Sequence, residues 1–300
     1  DRHDFSLAFF QRDFGGVGIL RYPLDRYQRL DLELSAGGVQ RYCLTDFAVD
    51  LPTYCGGLRH TPLPGVAADW DRVNGGVSPI VGPTLRYGYD TVRFDPFTGP
   101  IDGSSLLLEV GGNWLPTRGA VNGFARLDAA HWWPIVGRAN FMLRASAGSS
   151  FAPDARGVNW ARAWWLSSAD NLRGFYPLDA AYLIGLHYYV ANAELQVPLN
   201  AVLRLFIFDY IEGVAAFDFG GVANHLHDTT YTFSDGTAAV APGLWEARTL
   251  TGVLGFNVLF GPFLLRVHFG HPFDIGGEKT PAMLDGTRWV TNVSLRLLFF

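Results

Sequence analysis

The stretch Arg138-Ala139-Asn140-Phe141-Met142-Leu143-Arg144-Ala145-Ser146-Ala147 decides the fold. Arg138, Asn140, Met142, Arg144 and Ser146 fall on one phase of a two-residue repeat, and Ala139, Phe141, Leu143, Ala145 and Ala147 on the other. Successive side chains of a strand point to opposite faces, so this segment reads as a strand with one charged face and one apolar face. The same split recurs elsewhere. Arg29, Asp31, Glu33 and Ser35 oppose Leu30, Leu32, Leu34 and Ala36, while Thr84, Arg86, Gly88 and Asp90 oppose Leu85, Tyr87 and Tyr89. Near the C-terminus Arg288, Asn292, Ser294 and Arg296 oppose Trp289, Val293, Leu295, Leu297 and Phe299.

About twelve such strands are expected, near 4–12, 15–23, 27–42, 79–91, 102–114, 119–131, 137–149, 181–198, 203–221, 248–261, 263–272 and 287–300. Most exceed the ~9–11 residues that a tilted strand needs to cross a bilayer. Short connections near 23–27, 92–101, 132–136, 199–202 and 261–263 alternate with long ones near 43–78, 150–180, 222–247 and 273–286. Tight hairpins near 13–14 and 115–118 occupy two of the long-loop positions. Short periplasmic turns and long extracellular loops are the habit of outer-membrane barrels, whereas a soluble sandwich has no reason to sort its loops by parity. The expectation is an all-β, antiparallel transmembrane β-barrel, with residues 1–300 forming a single domain. An even strand count would place both termini on the periplasmic side of the bacterial outer membrane.

Composition agrees. Of 300 residues only 17% are charged, and a single lysine, Lys279, stands among 23 basic residues. Aromatics reach 15%, with 23 Phe, 12 Tyr and 9 Trp. A chain so apolar and aromatic folds rather than staying disordered. No window of about 18–20 residues is free of charge and strong breakers, which excludes membrane helices. A net charge of -5 without a basic block argues against nucleic acid as a partner. A barrel alternating lipid-facing and lumen-facing residues explains the near-neutral mean hydropathy of +0.12. Composition alone leaves a soluble β-rich domain as the alternative.

Cys43 and Cys55 are candidates for a disulfide closing a short loop in an oxidising compartment, with two free thiols as the alternative. The polar strand phase would fill the lumen with both signs of charge, including Arg29, Asp31, Glu33, Arg86, Glu109, Arg126, Asp128, Arg144, Glu194, Asp218 and Arg266. Arginine suits partly buried pairs because its planar fork matches a carboxylate. The expectation is a cross-linked or plugged lumen, against the plainer reading of a hydrated one.

The long connection 150–180 carries Asn171-Leu172-Arg173-Gly174-Phe175-Tyr176-Pro177. After it come Asn192-Ala193-Glu194-Leu195-Gln196-Val197-Pro198, Phe217-Asp218-Phe219-Gly220, Phe260-Gly261-Pro262-Phe263-Leu264-Leu265-Arg266 and His271-Pro272-Phe273. In this order the chain resembles the bacterial surface-antigen superfamily of outer-membrane barrels, which includes BamA, TamA and the two-partner secretion transporters. Arg21-Tyr22-Pro23-Leu24-Asp25-Arg26-Tyr27 and Asp95-Pro96-Phe97-Thr98-Gly99-Pro100 look like the barrels fused behind TolB-type propellers in some members. The resemblance implies a long loop folded back into the lumen with the Arg173-Gly174-Phe175 tip inside. It departs from the family in strand number, usually sixteen, in having Ala216 two residues before Asp218, and in Gln196 for arginine.

Independently of the family, an arginine brought into a lumen of lowered dielectric needs acceptors. Glu194 and Asp218 lie on the inward phase of the next two strands and are the expected partners of Arg173. Gly174 permits a tight turn. Trp289, Val293, Leu295, Leu297 and Phe299 would face lipid in a C-terminal strand signal, with Phe300 one step out of phase.

Little points to catalysis. None of the eight His sits in a His-x-Ser arrangement. Asp128 and His131 adjoin a short turn, away from the extracellular rim. His225-Leu226-His227-Asp228 is a weak metal signal. No enzyme activity, cofactor or metal is expected. The resemblance implies protein insertion or translocation at the outer membrane, through a seam between residues near 4–12 and 287–300. A closed anchor or scaffold and a small-solute channel are the alternatives. Expected partners are outer-membrane lipids, lipopolysaccharide, and periplasmic or outer-membrane proteins.

Overall fold

The computed structural model describes residues 9–43, 76–95, 99–153, 162–166, 171–175, 183–199, 210–232, 238–241, 243–260, 263–273, 275 and 289–297. Eleven long strands form one meander. They are β1 (Phe9–Pro23), β2 (Gln28–Cys43), β3 (Val77–Asp90), β4 (Gly99–Leu115), β5 (Ala120–Val136), β6 (Ala139–Phe151), β7 (His187–Pro198), β8 (Tyr210–Ala223), β9 (Arg248–Phe260), β10 (Phe263–Phe273) and β11 (Val290–Leu297). The short strand Arg93–Asp95 adds to β4 and makes the sheet twelve-stranded. Every neighbouring pair is antiparallel and consecutive in sequence. Two small hairpins, Trp164–Trp165 with Ile184–Gly185 and Thr229–Thr232 with Ala238–Ala241, lie in the long connections. No helix among the described residues is long and apolar enough to cross a membrane.

The all-β, antiparallel, roughly twelve-stranded architecture is the one the alternation demands. Leu34, Leu85, Val110, Leu143, Phe217, Leu254 and Val293 are exposed on the apolar face, while Asp31, Glu109, Asn140, Glu194 and Asp218 are buried on the other. This inverts the soluble pattern, as expected when lipid is the outer solvent.

The expected strands 4–12 and 15–23 are not separated by a hairpin at 13–14: Phe9–Pro23 is one strand. Asp13, Phe14 and Gly15 pair with Val39, Gly38 and Gly37. A Cβ at Gly15 would lie 2.4 Å from the Ala36 carbonyl oxygen, and one at Gly37 at a similarly forbidden distance from the Phe14 carbonyl oxygen. The glycines therefore permit a close strand crossing rather than a turn. The expected turn at 132–136 is also displaced. Strand β5 runs through Pro134 to Val136 with a register shift, and Gly137, at φ 59°, makes the bend. The hairpin near 115–118 is a 3-10 turn, Pro116–Arg118, closed by left-handed Gly119.

Merging the first two strands leaves an odd number of long strands. Phe9 sits at the long-loop end and Leu297 at the short-turn end, so the even count behind two periplasmic termini does not hold for the described strands.

Candidate functional site: the Arg173 loop inside the sheet

Cross-strand ion pairs line the charged face. Arg21 chelates Asp31 at 2.8 and 3.2 Å, and Arg29 reaches the same carboxylate. Arg86 bridges Glu33 and Glu109, and Arg162 adds to Glu109 at 3.5 Å. Arg126 and Arg144 share Asp128, with Arg144 bidentate at 2.9 and 2.6 Å. Most of these bonds join neighbouring strands, so the charges on this face are paired with one another.

Residues 171–175 cross that face. The Arg173 backbone N–H and Nε donate to Asp218 Oδ2 at 3.1 and 2.7 Å. Its Nη2 donates to Asp218 Oδ1 at 2.7 Å, and its Nη1 to Glu194 Oε2 at 2.6 Å. All three side chains are buried, Asp218 completely. Burying an arginine is costly unless its donors are matched, and here each guanidinium nitrogen has a carboxylate oxygen. Amides complete the shell. Asn192 Nδ2 donates to Asp218 Oδ1 at 2.8 Å and to the Asn171 carbonyl at 2.6 Å, and Gln196 Nε2 donates to Glu194 Oε1 at 2.6 Å.

Gly174 has φ 92°, a region that side chains resist. Its N–H donates to Asn292 Oδ1 at 2.8 Å. A Cβ on Gly270 would lie 2.4 Å from the Gly174 Cα, so backbone packs on backbone there. Phe175 is 1% exposed, in a cluster with Phe124, Trp164, Leu166, Leu172, Leu183, Tyr188, Val190 and Val222. Trp164 meets Tyr188 at 5.0 Å and Phe124 edge-on at 6.3 Å, and the Arg162 guanidinium lies 4.4 Å from the Trp164 ring.

These contacts reach β5 through Phe124 and β11 through Asn292. Six strand spacings of ~4.8 Å would separate those strands by roughly 29 Å in a flat sheet. The loop segments 162–166 and 171–175, joined by the Leu172 N–H to Leu166 carbonyl bond, reach both because the sheet curls around them.

Towards the short-turn end, Arg144, Arg173, Glu194, Asn257, Arg266 and His268 line a cavity of about 160 Å³. Behind it Glu212 Oε2 accepts from Asn257 Nδ2 at 2.8 Å, and Asn257 Oδ1 meets His268 Nε2 at 3.1 Å.

The structure thus brings Arg173, Gly174, Phe175, Glu194 and Asp218 together. Sequence reasoning placed Asn292 on a polar phase and Asn192 in the family-like segment 192–198, and missed their bonds to the loop. Trp289, Val293 and Leu295 are exposed on the apolar side, and Leu297 ends β11. Phe299, Phe300 and Cys55 lie outside the described residues, so the Cys43–Cys55 pairing does too. His225, His227 and Asp228 gather no metal set, and among the described residues no group of three or more His, Cys, Asp or Glu could hold an ion. Asp228 instead accepts from the Gly243 N–H at 2.7 Å.

No protein-family model matches the chain, and no curated protein matches it in sequence. Among solved structures, the crystal structure of BamA from Haemophilus ducreyi lacking POTRA domains 1–3 is similar, with a TM-score of 0.62 at 12% identity. The likeness covers 97% of this chain and 56% of that one, so this chain spans about half the length of its structural neighbour. The curled, charge-lined sheet around the Arg173 loop has a BamA-like β-barrel fold.

Proposed function

We propose that this chain is the barrel wall of an outer-membrane protein-assembly machine of the surface-antigen type, acting in insertion or translocation. The observation that carries the reading is the Arg173–Asp218–Glu194 cluster, buried on the inner face of a BamA-like fold. The loop acts as an internal strut and plug, because its arginine is held by four hydrogen bonds to two strands. The propeller-fused members of the superfamily are the branch that its N-terminal motifs favour. Short turns face the periplasm and long loops the exterior. The barrel is a single domain, its partners are outer-membrane lipids, lipopolysaccharide and envelope proteins, and it performs no catalysis and needs no cofactor.

The test is reconstitution into liposomes with an unfolded β-barrel client. Folding of the client should be faster with the protein than without it, and slower again with Arg173→Ala. Equal rates with and without the protein would sink the assembly reading.

The paired charges favour a second reading, a closed anchor or scaffold. A small-solute channel fits them less well. Planar-bilayer recordings separate the two: silence supports the plugged wall, and a stable open current supports the channel.

A further inference from the structure

Strands β4, β5, β6, β7, β9 and β10 and the Arg173 loop together line the cavity of about 160 Å³ beneath the loop. Its wall has two parts. Pro100, Trp132 and Met142 form an apolar side. On the polar side, Asn192, Gln196 and His268 each keep a hydrogen-bonding atom that no described residue uses.

All three of these atoms are acceptors. Asn192 Nδ2 is committed to Asp218 Oδ1 and the Asn171 carbonyl, which leaves Asn192 Oδ1 over. Gln196 Nε2 donates to Glu194 Oε1, which leaves Gln196 Oε1 over. Asn257 Nδ2 donates to Glu212, so Asn257 Oδ1 accepts from His268 Nε2, and the neutral ring keeps a bare lone pair at Nδ1. Asn192 and His268 are 4% and 2% exposed. Buried polar atoms are nearly always hydrogen-bonded, so three unmatched acceptors around one cavity call for a ligand that brings donors.

The charges argue against an ion. Arg126, Arg144, Arg173 and Arg266 stand against Asp128, Glu194, Glu212 and Asp218, on the cavity wall or directly behind it. Neither a cation nor an anion finds an uncompensated charge there, and a buried charge without one is costly. Water has the donors but gives Pro100, Trp132 and Met142 nothing to pack on. A cavity of about 150 Å³ takes one six-membered ring. A sugar ring matches both parts of the wall, with hydroxyl donors round its edge and a C–H face that lies on an indole.

We propose that this cavity binds a neutral polyhydroxylated ligand the size of a single sugar ring. Its hydroxyls donate to Asn192, Gln196 and His268, and its C–H face lies on Trp132. A free sugar and the sugar of a glycolipid share this chemistry. The inference concerns ligand binding and not the assembly activity, so either can fail without the other.

The experiment is saturation-transfer NMR on the purified full-length protein in a detergent without a sugar headgroup. Glucose, galactose and mannose are the probes, and at least one should receive saturation from the protein. Glucosamine, a cation, and glucose 6-phosphate, an anion, should bind more weakly than glucose. Tetrahydropyran, the same ring without hydroxyls, should not compete, because a site built for hydroxyls rejects the analogue that lacks them. Met142→Trp fills the cavity and should abolish the signal, while heat-modifiable migration reports that the barrel is folded. Added lipopolysaccharide separates the sources: displacement of the bound sugar assigns the site to a glycolipid, and no displacement to a free sugar. No signal from any of the three sugars overturns the proposal. So does an unchanged signal in Met142→Trp, competition by tetrahydropyran, or tighter binding of either charged sugar, and the last two are read on the unsubstituted protein.

Discussion

The Gly174 amide donates to Asn292 Oδ1 at 2.8 Å, which fastens the loop tip to the last described strand. The loop's charged anchors are on β7 and β8, so this bond carries its hydrogen bonding three strands further. Asn292→Leu leaves a buried N–H unpaired and should cost about 1–3 kcal/mol. Thermal unfolding in detergent, followed by heat-modifiable migration, measures it. A change within 0.5 kcal/mol, the scale of a typical surface substitution, would remove the tether.

Arg173→Ala strands two buried carboxylates and should destabilise by about 3–5 kcal/mol. Arg173→Lys should recover little of this, because an ammonium cannot fork onto Asp218 while reaching Glu194. In a double-mutant cycle, Arg173→Ala with Asp218→Asn should be far from additive. Additivity would mean that the pair contributes nothing specific.

Gly174→Ala tests the backbone conformation. Its Cβ would meet the Gly270 carbonyl carbon at 3.1 Å, at a φ of 92°. A cost of about 1–3 kcal/mol is expected from the conformation alone. Faster proteolysis in the long loop, with the strands still resistant, is the expected readout.

Phe175→Ala should cost about 3–5 kcal/mol, since the ring is among the most deeply buried side chains described. Phe175→Leu should be milder, with a smaller cavity. Equal unfolding temperatures for wild type and Phe175→Ala would show that the aromatic cluster adds no stability.

Arg93 and Asp102 form an ion pair with Arg93 well exposed. Arg93→Ala should shift stability by less than about 1 kcal/mol, and added salt should mask even that. The Arg173 cluster should keep its contribution at the same ionic strength. A comparable salt response at both sites would contradict its burial.

Much of this was legible in the sequence because the membrane imposes a two-residue code. Arg144 and Leu143 differ by one position and lie on opposite faces, and the same phase put Glu194 and Asp218 on the side where Arg173 arrives. What phase cannot show is how far a strand continues. The hairpin expected near 13–14 is instead continuous strand, where Gly15 opposite Gly37 serves a close crossing, and glycine marks bends and close crossings alike. Pro134 misled for a related reason, since it sits at a strand irregularity rather than in the bend at Gly137. Asn192 and Asn292 were missed because an amide on a polar phase has no charge to announce its partner. Their roles depend on distances between strands far apart in the chain.

The contact between Gly174 and Gly270 gives the loop a task as a gauge. A slide of two residues leaves every side chain on its own face, so the alternation alone does not forbid it. A slide of β10 by that amount would bring His268 or Pro272 beneath Gly174 in place of Gly270, and each carries the carbon that the contact leaves no room for. Only one alignment of β10 lets the loop seat, so a mis-slipped wall would be left with its arginine unhoused.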